Sequence, residues 1–373
     1  MLALAALSAR ALAEAAVRDG VPVVALDVFG DADTHNLALE WHDIGEAGAL
    51  RIDAQRLLDT LGQLARRGDV RGWIAGSGFE GRTELLEQAA ARLPLIGTAA
   101  VDVRRVRDPQ VFFRELDRHG IGFPPVAFEP PADPRGWLRK DGGGCGGWQV
   151  HRASAADRGG PGLYWQRERR GEAMSATFVA NGRDAVVLGA NRQGSRAFGD
   201  RPYVFTRIAG PVAVSDAVRR ELGAIVRLLA GAFHVRGLAS LDILLEGERI
   251  EVLELNPRPP ASLALYPRLG DGGVLAAHLR ACEHDVLPLP PSDSVPVRGL
   301  AIVFAAQAVE IDGARAAALA TMPGVCDLPR AGSRIAAGNP LCSVVAEGAD
   351  EARMNEQLDA RRAAVRALLE TTP

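Results

Sequence analysis

RIEVLELNPRPPASLALY, residues 249–266, opens as a strand bound for a core and changes character halfway. Ile250, Val252, Leu253 and Leu255 are strand formers, but Glu254, Asn256 and Arg258 interrupt them. Burying such groups unpaired is costly, so a charged partner is expected beside them. The preceding LASLDILLEG, residues 238–247, reads as the other arm of an antiparallel hairpin turning at Gly247. With a three-residue loop, Gly247–Arg249, Glu246 faces Ile250, Asp242 faces Glu254 and Ser240 faces Asn256. Directly opposed side chains stand about 4.5–5.5 Å apart at Cβ. Two carboxylates that close repel unless a cation lies between them, and oxygen ligands from Asp, Glu and Asn suit Mg²⁺. The competing reading is a solvated acidic face. A two-residue loop would shift the register by one and send the carboxylates to opposite faces.

Upstream, WLRKDGGGCGGWQV (residues 137–150) places Lys140 at the end of a strand, with five glycines among the next seven residues. Gly142, Gly143, Gly144, Gly146 and Gly147 let backbone N–H groups approach a ligand closely, so the loop can close over phosphates. Lys140 adds a compact positive charge at its edge. No G-K-[ST] follows, and G-x-G-x-x-G does not occur in a strand–helix setting, so a flexible linker is the alternative. Cys145 is expected to be exposed and incidental.

A chain of 373 residues is too long for one small core and predicts roughly two or three domains. A net charge of −3 supplies no field favouring nucleic acid or an anionic membrane. Cys145, Cys282, Cys326 and Cys342 form no C-x-x-C pair, which argues against a disulfide scaffold or zinc site and fits a reducing cytoplasm. At the start, MLALAALSARALAEAAVRDG has no basic leader and is broken by Arg10 and Glu14, so a short strand and a helix opened by Ser8 are expected.

Residues 1–100 alternate strand with helix: LALAAL, VPVVALDVF, VRGWIAG and LPLIG are strands, separated by helix-length segments. That alternation predicts a parallel sheet. Residues 101–290 form a second domain, opened by a helix with Asp108 as cap and Pro109 at its first position. It contains a lid lobe over about 125–185 and a capped helix in SDAVRRELGAIVRLLAG. After the polar joint LPLPPSDSVP, residues 295–373 form a small β-rich α+β domain ending in a helix from Asp350.

The strand–lysine–glycine loop, then YWQRERRGEAMSATFVANG, then Asp242 twelve residues before Glu254 in ELNPR, resemble the ATP-grasp superfamily in that order. The likeness is greatest to predicted ATP-dependent carboxylate–amine ligases related to biotin carboxylase, with tyramine–glutamate ligases as relatives of the same type. It implies an N-terminal pre-ATP-grasp domain, a two-lobed ATP-grasp fold and a carboxylase-type tail. It also implies ATP with Mg²⁺ (or Mn²⁺), and a carboxylate joined to an amine through an acyl-phosphate. Lys140 and the five glycines would hold phosphates, and Gln166, Arg167 and Glu168 would form the hinge for adenine and ribose. Asp242, Glu254 and Asn256 would hold the metal, and Arg258 would stabilise the transferred phosphoryl group. The chain departs from the family at Gln166–Arg167, where two glutamates are usual, at Arg169, and at Asp108–Pro109, where Asp-Lys is usual. Arg104 or Arg107 would then replace the missing lysine's charge.

Ligands of parallel sheets bind beyond the carboxyl ends of the strands, which selects the loops Ser8–Arg10, Phe29–His35 and Gly76–Glu80, with Ser77 in the last as a candidate. Arg10 would meet a carboxylate and Glu80 an amine, with helix capping and surface charge as the alternatives. Asn191, Gln193 and Arg207 are further substrate candidates. Small-molecule acid and amine partners are expected, without nucleic acid or membrane, and the family suggests a homodimer. Two other functions compete: bicarbonate activation of the biotin-carboxylase kind with a separate biotin-bearing partner, and a nucleotide-binding scaffold without turnover.

Overall fold

Leu2–Ala5 and Val23–Asp27 are buried on both faces, as strands of a covered parallel sheet are. They lie at the centre of a four-stranded parallel sheet ordered Glu40–Asp43, Val23–Asp27, Leu2–Ala5, Trp73–Ala75. The helices Arg10–Arg18, Ala54–Arg67 and Thr83–Ala90 alternate with these strands. This computed structural model describes residues 1–46, 50–269, 272–290 and 296–370. Two expectations are corrected here. Ser8 does not cap the first helix, which starts at Arg10; instead the N–H of Ala9 donates to the buried Asp27 Oδ2 at 3.0 Å. LPLIG makes only a single bridge, Leu95 to Trp73, and the fourth strand is Glu40–Asp43. That edge strand is only half-buried, so EWHD carries no apolar alternation to reveal it.

Asp108 caps the helix Pro109–Arg118 by accepting from the N–H groups of Gln110 (2.9 Å) and Val111 (3.2 Å). A small antiparallel sheet then forms the lid, ordered Val126–Ala127, Leu163–Arg167, Trp137–Asp141, His151–Arg152. The larger sheet begins with Arg249–Asn256 and Arg236–Glu246, then Glu172–Asn181, Ala185–Phe198 and Arg201–Gly210. Helix Asp216–Ala232, capped by Ser215, covers it with the expected stripe of Val218, Leu222, Ile225 and Leu229.

The C-terminal strands do not form a separate sheet. Val297–Phe304 pairs with Arg201–Gly210, and Pro340–Gly348 and Val325–Cys326 follow, so one sheet of eight strands runs through both parts. Helix Glu351–Glu370 packs Met354 and Leu358 onto it. Residues 291–295 of the expected joint lie outside the described residues.

Helix Val274–His284 seals the seam between the first sheet and the larger one, packing Val274 and Leu275 with Leu2 and Leu4. Its His278 is 1% exposed. The N–H of Leu238 donates to Nδ1 at 2.9 Å, so the proton belongs on Nε2, which faces the Ile96 carbonyl at 3.0 Å. Burial pushes the imidazole down to about 4 from its ordinary 6.5. The native state therefore takes up fewer protons than the unfolded chain below pH 6.5, and stability is lost as the pH falls toward 4. Between pH 7 and pH 5 this one group costs about 2 kcal/mol. Urea titrations at the two pH values should show that loss in the wild type and not in His278→Gln; equal losses in both would refute it.

Candidate active site

The hairpin turns through Gly247 and Glu248 alone: Glu246 pairs with Arg249, Leu245 with Ile250 and Ile243 with Val252. The loop is two residues, not the expected three, and by itself would part the carboxylates. A bulge restores their opposition. Between Ile243 and Asp242 the second strand carries one extra residue, Leu253, and beyond it Asp242 faces Glu254 and Ser240 faces Asn256.

Asn256 Nδ2 donates to Asp242 Oδ2 (3.3 Å) and to Glu254 Oε1 (3.1 Å), and Gln193 Nε2 donates to Asp242 Oδ1 (3.1 Å). Burial, and then the charge of Glu254, lift Asp242 well above the usual carboxylate range. Burial also pushes Glu254 up, but Arg107 and Lys140 outweigh it and hold Glu254 below its ordinary value. A hard divalent cation between the two carboxylates would relieve the cost of holding them together in a buried place, and the oxygen donors fit such an ion. No group of three or more His, Cys, Asp or Glu able to hold a metal occurs among the described residues, so this centre rests on two carboxylates and an amide.

Lys140 Nζ donates to Gln166 Oε1 at 2.6 Å across the lid sheet. Burial lowers the lysine's pKa against the opposing pull of Glu254 and Asp242. Gln166 is 1% exposed, and its Nε2 has no partner. With Oε1 held by the lysine, the free edge of this amide is a donor. Arg107 spans the site. Its Nε donates to Gly142 O and its Nη2 to Gly144 O, both at 2.6 Å, while Nη1 lies 3.4 Å from Asn256 Oδ1 and 3.7 Å from Glu254 Oε2. Arg104 instead stays at the surface with Thr83 and Glu87.

The glycine loop is folded down against Arg107, Gly81 and the strand Arg201–Gly210. A Cβ at Gly142 would stand 2.6 Å from the Arg107 carbonyl, and one at Gly143 would stand 2.7 Å from Gly81 Cα. Gly147, at φ +76°, would collide with the Tyr203 carbonyl, and the N–H of Phe205 donates to Gly146 O at 3.0 Å. Gly81, which receives the loop, escaped the sequence reading; GSGFEG directly after an apolar strand was the available signal.

Arg258 Nε donates to Glu80 Oε1 at 2.6 Å, and the N–H of Gly78 donates to Glu80 Oε2 at 2.7 Å. Burial pushes Glu80 up, but Arg258 and Arg107 more than reverse this, so it stays anionic. Ser77 is half-buried in the same loop.

Other expected residues are directed elsewhere. Arg167 is exposed, donates to the Arg135 carbonyl (2.9 Å) and lies over the Trp137 ring. Glu168 accepts from Arg152 (3.0 Å) and the Tyr203 hydroxyl. Arg10 is 3% exposed and engaged by Asp327 (2.9 Å) and Glu14 (2.6 Å), which ties the first sheet to the C-terminal part. Arg207 donates to Asn355 Oδ1 at 3.0 Å on the last helix. Asn191 is buried in a network with Ser175, Thr177 and Tyr266. Cys145 is corrected: it is half-buried within the closed loop, where burial, and then Glu80, push its thiol up to about 12.

Residues 106–262 match the family model described as an ATP-grasp domain. No curated protein sequence matches the chain. Solved structures share the fold along nearly its whole length. N5-carboxyaminoimidazole ribonucleotide synthetase from Thermus thermophilus is 17% identical with a TM-score of 0.68, over 100% of this chain and 99% of that one. A biotin carboxylase–βγ-ATP complex from Campylobacter jejuni is 12% identical with a TM-score of 0.70, over 96% and 90%. L-amino acid ligase from Bacillus licheniformis is 16% identical with a TM-score of 0.68, over 98% and 96%. Among the described residues no helix is long and apolar enough to cross a membrane.

Proposed function

We propose, from the premise that residues 106–262 form an ATP-grasp domain, that this chain is an ATP-dependent ligase joining a carboxylate to an amine. One convergence carries the reading: Asp242 stands opposite Glu254, with Lys140 and Arg107 charged against them beneath a closed glycine loop. Nucleotide phosphates take the place under that loop, where Lys140 and the loop N–H groups meet them. Asp242, Glu254 and Asn256 would hold Mg²⁺ or Mn²⁺, which would supply charge neutralisation for the phosphates. The unpartnered Nε2 of buried Gln166 supports a base with an acceptor at that end, as adenine has.

Arg258 neutralises the phosphoryl group as it passes to the substrate carboxylate and again as the acyl-phosphate forms. The amine then attacks the acyl carbon, the C–O bond to phosphate breaks, and ADP and phosphate are the other products. ADP release with Mg·ATP across a panel of acids, amines and bicarbonate tests the reading. Release that needs both an acid and an amine supports it. Release with bicarbonate alone replaces it with carboxylase chemistry, and absence of thermal stabilisation by saturating Mg·ATP overturns it.

A further inference from the structure

The Arg258–Glu80 pair lines a pocket whose walls are otherwise largely apolar, with Thr98, Arg107, Arg236 and His278 as the polar exceptions. Phe79, Leu86 and Ile96 come from the first domain and Val103 from the helix that follows it, and Pro257 and Pro259 flank Arg258. Both charged side chains are withdrawn from solvent, with 17% exposure for Arg258 and 5% for Glu80. They come from segments 178 residues apart, so the pocket exists only where the first sheet meets the hairpin. Its enclosed part has room for about two waters in this closed form.

We infer that this pocket holds the acid to be activated, and that the acid is a small α-amino acid. This rests on the ligase reading. A neighbouring anion and cation in a largely apolar pocket complement a zwitterion with a short apolar side chain. The ammonium takes Glu80 Oε1, the carboxylate takes the Arg258 edge, and the present contact between the two residues is the resting form that the substrate divides. Glu80 remains anionic beside Arg258 and Arg107. Held by it as an ammonium, the substrate's own nitrogen has no lone pair to attack its acyl-phosphate, so the attacking amine is a second molecule. With the charged groups of the substrate lodged between Glu80 and Arg258, room for about two waters admits a side chain of about one or two heavy atoms, which selects glycine, alanine and serine and rejects phenylalanine.

Hydroxylamine, which captures an acyl-phosphate as a hydroxamate with release of phosphate, removes the need to know the natural amine. With Mg·ATP and hydroxylamine, alanine should give hydroxamate at least tenfold more efficiently than propionate, which lacks the ammonium, or phenylalanine. Glu80→Gln should weaken the use of alanine about 10- to 100-fold. Because Arg258 loses its partner, propionate use also falls, but the alanine-to-propionate ratio should drop at least tenfold, a split that an ion pair serving only the fold would not produce. If Glu80→Gln does not melt cooperatively, Val103→Ala, which widens the pocket, should move the preference from alanine toward leucine. Equal use of alanine and propionate, or a preference for phenylalanine, overturns this inference and leaves the ligase intact. Failure of Mg·ATP to stabilise the wild type overturns both.

Discussion

Glu254→Gln is expected to lower Mg·ATP-dependent ADP release about a thousandfold while the protein stays folded. The amide keeps the shape of the side chain and its place opposite Asp242, but removes one of the two charges that attract the cation. Lys140 and Arg107 lose the anion that faces them. Without nucleotide the variant should still melt cooperatively, because the amide keeps the shape of the side chain and the loss of repulsion from Asp242 partly offsets the loss of the anion facing Lys140 and Arg107. Stabilisation by Mg·ATP should disappear with activity. Melting curves with and without Mg·ATP, beside an ADP-release assay, check both halves. Turnover within tenfold of wild type would remove Glu254 from the centre of the mechanism.

The second large effect is expected at Arg107. Its fork holds the carbonyls of Gly142 and Gly144 at once and also approaches Glu254 and Asn256, so it couples the closed loop to the carboxylates. Lysine keeps the charge but cannot span two carbonyls with a planar fork. Arg107→Lys should therefore raise the KM for ATP about 10- to 100-fold. Without nucleotide, it should also open the stretch 142–147 to limited proteolysis. An unchanged KM and an equally protected loop would show that the glycine contacts, and not Arg107, keep the loop down.

Much of the site is legible because its signals are local. The glycines after Lys140, the acidic hairpin and Arg258 each stand out within about a dozen residues of sequence. The opposition of Asp242 and Glu254 is instructive, since the three-residue loop that implied it is absent and a bulge at Leu253 supplies it. A bulge leaves little trace in apolar alternation, so register can be read correctly from an incorrect turn. The choice between Arg104 and Arg107 was open for a similar reason. Three positions apart on one helix, they differ in which reaches across to the glycine loop, and that depends on how the helix is seated.

By itself the sequence determined the parallel α/β opening, the caps at Asp108 and Ser215, the glycine-rich loop after Lys140 and the acidic hairpin. These depend on backbone preferences, hydrogen bonds and side-chain alternation spanning a few residues, and they are decided before distant segments meet. Only the tertiary structure decided that Glu80 pairs with Arg258, that Arg10 is engaged by Asp327, and that Gly81 receives Gly143. It also decided that the C-terminal strands extend the central sheet. Each of these joins residues dozens to hundreds of positions apart, and such contacts depend on the packing of whole sheets against one another, which no local pattern encodes.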